Sequence, residues 1–217
     1  MDFARQEPEI AARIYMVESQ IVARGVRDRR VLEALRRVQR EAFVPPELAA
    51  SANSDSPLPI GYGQTISQPY IVGYMSELLQ LEPEHRALEI GTGSGYQAAV
   101  LSLLCREVYS VEIVEELGTA ARERLAELGY ENVHVRVGDG YKGWPSHAPY
   151  DRILLTAAPP EIPAALLEQL APGGRLIAPV GPNYGAQNLL VVDKDAEGQI
   201  TQHVDLPVRF VPMVRAR

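Results

Sequence analysis

Ile10, Ile14, Val17 and Ile21 recur at helical spacing, so residues 8–24 read as an amphipathic helix. Val31, Leu32, Leu35 and Val38 predict a second helix, ending before Pro45-Pro46. Residues 44–63 lose this periodicity. Pro, Ser, Ala, Asn and Gly dominate there, and the stretch reads as a long loop, a kind of segment that often carries function in compact domains. Ile71, Tyr74, Met75, Leu78 and Leu79 restore helical spacing. Pro69 suits the first turn of that helix, and Ser67 is placed to be its N-cap.

From residue 87 the pattern changes to short apolar runs alternating with helical ones. Residues 87–90 and 107–112 read as strands around a helix from Gln97 to Leu104. A helix from Val114 to Leu128 stops at Gly129, and Val133, Val135 and Val137 alternate as a third strand. Asp151 to Pro159 is a fourth strand, short and apolar as a buried parallel strand should be. The helix Ile162 to Leu170 leads through Ala171-Pro172-Gly173-Gly174 into a fifth, Arg175 to Val180. Residues 188–194 and 199–206 read as two more, joined across Asp195-Ala196-Glu197-Gly198. The expected fold class is α/β: a doubly wound, mostly parallel seven-stranded sheet with an antiparallel edge and an N-terminal helical cap. At 217 residues the chain is read as a single domain, residues 1–217.

The chemistry centres on Ala87-Leu88-Glu89-Ile90-Gly91-Thr92-Gly93-Ser94-Gly95-Tyr96. A strand breaks into a glycine turn and opens a helix, the usual nucleotide crevice of a doubly wound sheet. A dinucleotide fingerprint needs G-x-G-x-x-G, but here the third glycine position is Tyr96 and the pattern is G-x-G-x-G. No Gly-Lys-Ser/Thr follows, which excludes a phosphate-binding Walker loop. Glu112 stands 21 residues after Gly91, at the end of the second strand, where an acid can accept from ribose hydroxyls. Adenosine without a pyrophosphate fits best, with S-adenosylmethionine (SAM) as the leading candidate. The alternative is a tight turn with no ligand. Asp139, at the end of the third strand, reads equally as an acceptor for the adenine amino group or as an ordinary Asp-Gly turn with Gly140.

Composition narrows the picture. Net charge is −7, which argues against a general polyanion binder, although residues 1–40 hold nine Arg against six acids. That basic excess reads as a solvated helix face. A single cysteine, Cys105, excludes a disulfide framework or a cysteine-rich metal site and reads as packing. His85, His134, His147 and His203 show no metal spacing, so no metal is expected. Charges at Asp2, Arg5, Glu7 and Glu9 and no long apolar run suggest neither a signal peptide nor a membrane anchor, hence a cytoplasmic protein.

Three blocks together resemble one family, protein-L-isoaspartate (D-aspartate) O-methyltransferase. They are PLPIGYGQTISQPYIVGYMSELL at 57–79, ALEIGTGSGYQAAVLSLL at 87–104 and YDRILLTAAPPEIPAALLEQLAPGGRLIAPVG at 150–181. VRFVPM at 208–213 is similar to the family's closing segment. The central block is common to many SAM methyltransferases, whereas the QTISQP block is far more specific. The resemblance implies the Rossmann-like SAM-methyltransferase sheet, with residues 1–66 as helical cap and active-site loop. It implies transfer of methyl from SAM, leaving S-adenosylhomocysteine, to the free α-carboxylate of L-isoaspartyl residues in damaged proteins, with D-aspartyl residues an open second class. The ester then closes to a succinimide, which begins repair. By the family pattern Ser67 is the active-site residue, with Thr65 and Ile66 lining the same site. Glu89, Gly91, Thr92 and Gly93 would hold the methionyl part of the cofactor, Glu112 the ribose, and Asp139 and Gly140 the adenine. Thr156, Ala157, Ala158, Pro159 and Val211 would floor the substrate cleft. Val214 departs from members with Thr there, which removes any hydroxyl contact from that position. The implied partners are isoaspartyl-containing proteins and peptides, with no nucleic acid or membrane, for a monomer.

Two other classes remain. A nucleic-acid amino-methyltransferase would carry D/N-P-P-Y/F where this chain has Thr156-Ala157-Ala158-Pro159. A small-molecule methyltransferase, or a SAM-binding protein without catalysis, shares the glycine turn, because a fold does not define a substrate.

Overall fold

The structure is a computed structural model that describes residues 3–183 and 185–215; Asp2 lies outside them. The chain opens with α1 (Phe3–Met16), continues through a π turn at Val17–Ile21 and a 3-10 turn at Val22–Arg24, and ends at Gly25 in the left-handed region. The expected helix over 8–24 is therefore present as one run, but its buried stripe is Arg13, Met16, Val17 and Ile21. Ile10 and Ile14 lie outside it and are each 44% exposed. Arg13 takes the inner position because Glu41 pairs with it. The second helix, α2 (Arg29–Arg37), is capped by Asp28, whose carboxylate accepts from Arg30 N at 2.8 Å and Val31 N at 3.3 Å. Its buried face is Val31, Leu32, Ala34 and Leu35.

Residues 44–63 are more ordered than their composition suggests. A 3-10 turn at Pro46–Ser51 precedes an antiparallel hairpin, β1 (Leu58–Gly61) and β2 (Gln64–Ile66). Gly61, Tyr62 and Gly63 all have positive φ, which makes the tight reversal; two glycines supply it at little steric cost. The next helix, α3 (Pro69–Leu78), has Pro69 at its first position. Its N-cap is Gln68, and no side chain caps it, so the cap expected at Ser67 is not formed. Proline at the first helical position makes the residue before it the cap and leaves Ser67 one position outside.

The main sheet has seven strands: β3 (Arg86–Ile90), β4 (Glu107–Glu112), β5 (Val133–Val137), β6 (Tyr150–Leu155), β7 (Leu170–Val180), β8 (Gln187–Lys194) and β9 (Ile200–Val208). Their spatial order is β5-β4-β3-β6-β7-β8-β9. The first five are parallel; β8 and β9 add antiparallel to the β7 edge. Helices α4 (Tyr96–Ser102), α5 (Glu115–Glu127) and α6 (Ala164–Gln169) make the crossovers. The chain runs outward from β3 through β4 to β5, then returns to the other side of β3 at β6. The β3/β6 boundary is therefore the topological switch point, where ligands of such sheets bind beyond the strand carboxyl ends.

Apolar cores lie on both faces of the sheet. One packs α1–α4 against Ala87, Val108, Leu154 and Ile177; the other gathers Leu88, Ile90, Val111, Ile153, Leu155 and Leu166. Alternation along β3 thus sends Ala87 and Glu89 toward the helical cap and Leu88 and Ile90 away. Two strand limits differ from expectation. β6 ends at Leu155, because the Thr156 hydroxyl turns back to donate to Gly91 O at 2.6 Å. β7 begins at Leu170, and a register shift against β6 absorbs the Ala171–Gly174 stretch.

Candidate active site

A cleft opens at the carboxyl ends of β3 and β4. Its floor is the glycine turn. Gly91, Gly93 and Gly95 have φ of +103°, +53° and +92°. A Cβ on Gly91 would overlap the Thr156 hydroxyl, so this position needs glycine for space as well as for conformation. Gly95 caps α4 and comes close to α5, where an added Cβ would sit 3.1 Å from Leu125 Cδ1. The close packing that a third glycine provides in a dinucleotide site is thus supplied one position earlier. Tyr96 turns inward against the cleft and is 1% exposed.

Glu112 ends β4 and faces the turn. Its carboxylate accepts from Gly93 N at 2.8 Å and from Val114 N at 2.9 Å. These two bonds fix the carboxylate beside the cleft and leave each oxygen a lone-pair direction for an incoming hydroxyl. Glu89 is different. It is fully buried, and only its neighbours reach the cleft wall. Register places it opposite Ser110, whose hydroxyl donates to Glu89 Oε2 at 2.5 Å. Ser110 Oγ also lies 2.6 Å from Thr92 Oγ1, which lines the cleft. Burial pushes the Glu89 carboxyl up to about 8, the Ser110 hydrogen bond opposes that rise, and the Glu112 charge adds to it. At neutral pH Glu89 is therefore mostly a neutral acid behind the turn.

The opposite wall is Thr65, Ile66 and Ser67 at the end of the hairpin, and the side wall is Val211 to Val214 with Gly140. The closing segment is held there by Ala158: its N–H donates to Val211 O and its carbonyl accepts from Met213 N, both at 2.8 Å. A second, open groove runs past Pro57, Gln68, Ile71 and Phe210. It shares Thr65, Ser67, Thr156, Val211 and Pro212 with the cleft. The cleft thus meets the groove at two hydroxyl-bearing residues of the hairpin end and one that follows β6.

Eleven of the expected site residues line the cleft: Thr65, Ile66, Ser67, Gly91, Thr92, Gly93, Glu112, Gly140, Thr156, Ala157 and Val211. Glu89, Asp139, Ala158 and Pro159 do not. Asp139 caps a short 3-10 turn, its Oδ1 accepting from Tyr141 N at 3.0 Å, next to the cleft-lining Gly140. Pro159 contributes its carbonyl to Gly181 N at 3.1 Å. Sequence reasoning missed Gln64, Tyr96, Gln97, Ile113 and Met213. Tyr96 and Gln97 were legible as the residues immediately after the glycine turn; Gln64 and Met213 reach the cleft through tertiary folding alone.

The residues present fit an adenosyl sulfonium cofactor. The turn leaves backbone space that a Cβ at Gly91 would fill, the Glu112 carboxylate stands beside it, and no Lys or Arg is among the described residues that line the cleft. Among the described residues no group of three His, Cys, Asp or Glu could hold a metal ion. Fold and site together define a SAM-dependent methyltransferase. Residues 13–217 match the model of the family described as Protein-L-isoaspartate(D-aspartate) O-methyltransferase. The chain belongs to that family.

Relatives agree. A protein-L-isoaspartate O-methyltransferase of Synechococcus sp. (strain JA-2-3B'a(2-13)) is 56% identical over 96% of this chain and 87% of the relative. One from Myxococcus xanthus (strain DK1622) is 60% identical over 87% of this chain and 90% of its own. A solved protein-L-isoaspartate O-methyltransferase superposes with a TM-score of 0.82 at 30% identity, covering 94% of this chain; the chain spans 65% of that protein's length. A Plasmodium falciparum structure in complex with S-adenosyl-L-homocysteine shares the fold, with a TM-score of 0.79 at 23% identity over 94% of this chain and 99% of its own.

Proposed function

We propose that this protein transfers methyl from SAM to the free α-carboxylate of L-isoaspartyl residues in damaged proteins, the first step of repair through a succinimide. The observation that carries the reading is the meeting of cleft and groove at Thr65, Ser67 and Thr156. A polypeptide lying in the groove can present one carboxylate to a cofactor held in the cleft. Family membership supplies the substrate class.

Bound SAM supplies a methyl group on a sulfonium, which a nucleophile displaces in line. The carboxylate nucleophile has a reference pKa below about 4, so it arrives ionised and needs no general base. The residues then act by positioning, where orientation can supply roughly 7–11 kcal/mol. In this proposal Ser67 donates a hydrogen bond that orients the carboxylate. Thr156, Ala157 and Val211 shape the floor it rests on. Gly91, Thr92 and Gly93 face the methionyl end, with Glu89 supporting them through Ser110 and Thr92. Glu112 accepts from the ribose hydroxyls, and Gly140 lines the adenine end. Thr65 and Ile66 close the cleft from the hairpin side.

The same proposal takes residues 1–217 as one working domain with 1–66 as its cap, since α1 and α2 share a core with the sheet. It also takes the protein as a cytoplasmic monomer that binds neither nucleic acid nor membrane. The net charge of −7 supports the first exclusion. Among the described residues no helix is long and apolar enough to cross a membrane.

The test is methyl transfer from labelled SAM to two peptides differing at one residue, isoaspartate against aspartate. Transfer to the isoaspartyl peptide alone supports the reading. Transfer to neither, with SAM still bound, moves the assignment to a small-molecule methyltransferase or a non-catalytic SAM-binding protein. Ser67→Ala is expected to lower kcat about 10- to 100-fold while S-adenosylhomocysteine affinity stays within a few-fold. Unchanged turnover would remove Ser67 from the reaction.

A further inference from the structure

Arg40 sits in the 3-10 turn Arg40–Phe43 with 0% of its surface exposed. No carboxylate pairs with it among the described residues; the neighbouring Glu41 is taken by Arg13. Its Nε donates to Ala52 O at 2.7 Å and its Nη2 to Ser67 O at 2.7 Å. Those two carbonyls flank the 53–66 excursion that carries the β1–β2 hairpin. The guanidinium carbon also lies 4.7 Å from the ring centroid of Tyr96, which lines the cleft. Burial lowers the Arg40 pKa, and the Tyr96 side chain opposes that fall.

A lone buried cation is a poor way to stabilise a core, because desolvation costs as much as its contacts return and apolar packing does as well. What guanidinium offers in its place is geometry. Its planar fork can grip two carbonyls in a fixed relation, which a lysine ammonium on a flexible stem cannot. Here the fork closes the base of the hairpin whose far side reaches the glycine turn; Ile60 Cδ1 is 3.3 Å from the position of a Cβ on Gly93.

We propose that Arg40 is a positioning residue for methyl transfer: it clasps Ala52 and Ser67 across the base of the hairpin and so sets where Ser67 stands between cleft and groove. It lines neither the cleft nor the groove. The catalytic part of this inference rests on the proposed function; the clasp itself does not.

The experiment compares Arg40→Lys and Arg40→Gln with Leu166→Ala, a cavity in the opposite core that lowers stability without touching the hairpin. Hydrogen exchange at the amides of residues 64–68 is read in the free protein. The kcat and KM for the isoaspartyl peptide and the Kd of S-adenosylhomocysteine are read on the folded fraction. Both Arg40 variants should exchange about tenfold faster at 64–68 and lose about 10- to 100-fold in kcat, with the S-adenosylhomocysteine Kd moving about fivefold or less. Leu166→Ala should lower Tm and leave 64–68 exchange and kcat near wild type. Wild-type exchange and kcat in Arg40→Lys would overturn the proposal. So would equal losses in Leu166→Ala, or failure of both Arg40 variants to fold, which would make the residue purely structural. The exchange measurement needs no substrate, so it decides the clasp even where the wild-type chain methylates neither peptide.

Discussion

Glu89→Gln should flatten a fall in stability that the wild-type protein shows between weakly acidic and mildly alkaline pH. Among the described residues, Glu89 is a carboxyl with none of its surface exposed, opposite Ser110 across β3 and β4. Burial raises its pKa from the ordinary 4.5 to about 8, against the opposing hydrogen bond from Ser110 and with the Glu112 charge adding to the rise. Between those two values the folded protein holds a proton that the unfolded chain has released. Folding is therefore favoured most below the unfolded pKa, and this contribution is lost as pH rises toward the folded one. At about 1.4 kcal/mol per pH unit across that interval, the loss is about 5 kcal/mol. Glutamine keeps the shape, can still accept from Ser110, and has no proton to lose. The assay is urea unfolding of both proteins from about pH 5 to about pH 9, read as the difference in unfolding free energy at each pH. The wild type should lose about 4 kcal/mol relative to the variant between the two ends of that range. Parallel curves would refute the reasoning, because they would mean that Glu89 ionises inside the folded protein as readily as outside it.

Three further outcomes are expected. Glu112→Ala removes the acceptor proposed for the ribose, so S-adenosylhomocysteine binding by calorimetry should weaken by about 1.5–3 kcal/mol, roughly 10- to 150-fold; an unchanged Kd would place the ribose elsewhere. Gly91→Ala puts a Cβ onto the Thr156 hydroxyl at a φ of +103°, and should lower stability by about 1–3 kcal/mol and reduce cofactor affinity with it; a wild-type Tm and Kd would show that the turn relaxes freely. Cys105 is buried and its thiol is pushed up to about 12 by that burial, so it should resist alkylation at about pH 8 until the protein is unfolded, as mass spectrometry of the intact chain would show.

Much of this protein is legible in one dimension. Parallel strands buried on both faces are short apolar runs, and helices between them repeat at 3.6 residues, so all seven main strands and their crossovers fall near their expected places. The glycine turn is equally local: three glycines at alternate positions specify a conformation that other residues resist, and Gly91, Gly93 and Gly95 adopt it. The acid at the end of β4 follows from strand order and spacing, and it stands against that turn. The hairpin at 58–66 was less visible, because its strands are four and three residues long and half exposed, too brief to show a period.

What the tertiary structure decided is which of these groups face one another. Glu89 carries the same carboxylate in sequence as Glu112. Pleat and register put the first inside the protein beside Ser110, where water cannot support its charge, and leave the second at a strand end, where two backbone N–H groups donate to it. Asp139 was drawn to its own turn by a backbone N–H two residues away. Met213 and Arg40 lie far along the chain from the residues they meet, and Arg40 finds Ser67 only because α1–α3 pack as a layer on the sheet. Local propensity fixes elements within a few residues. The approach of distant side chains depends on how those elements pack and on which face each strand position takes, and that is settled only when the whole core closes.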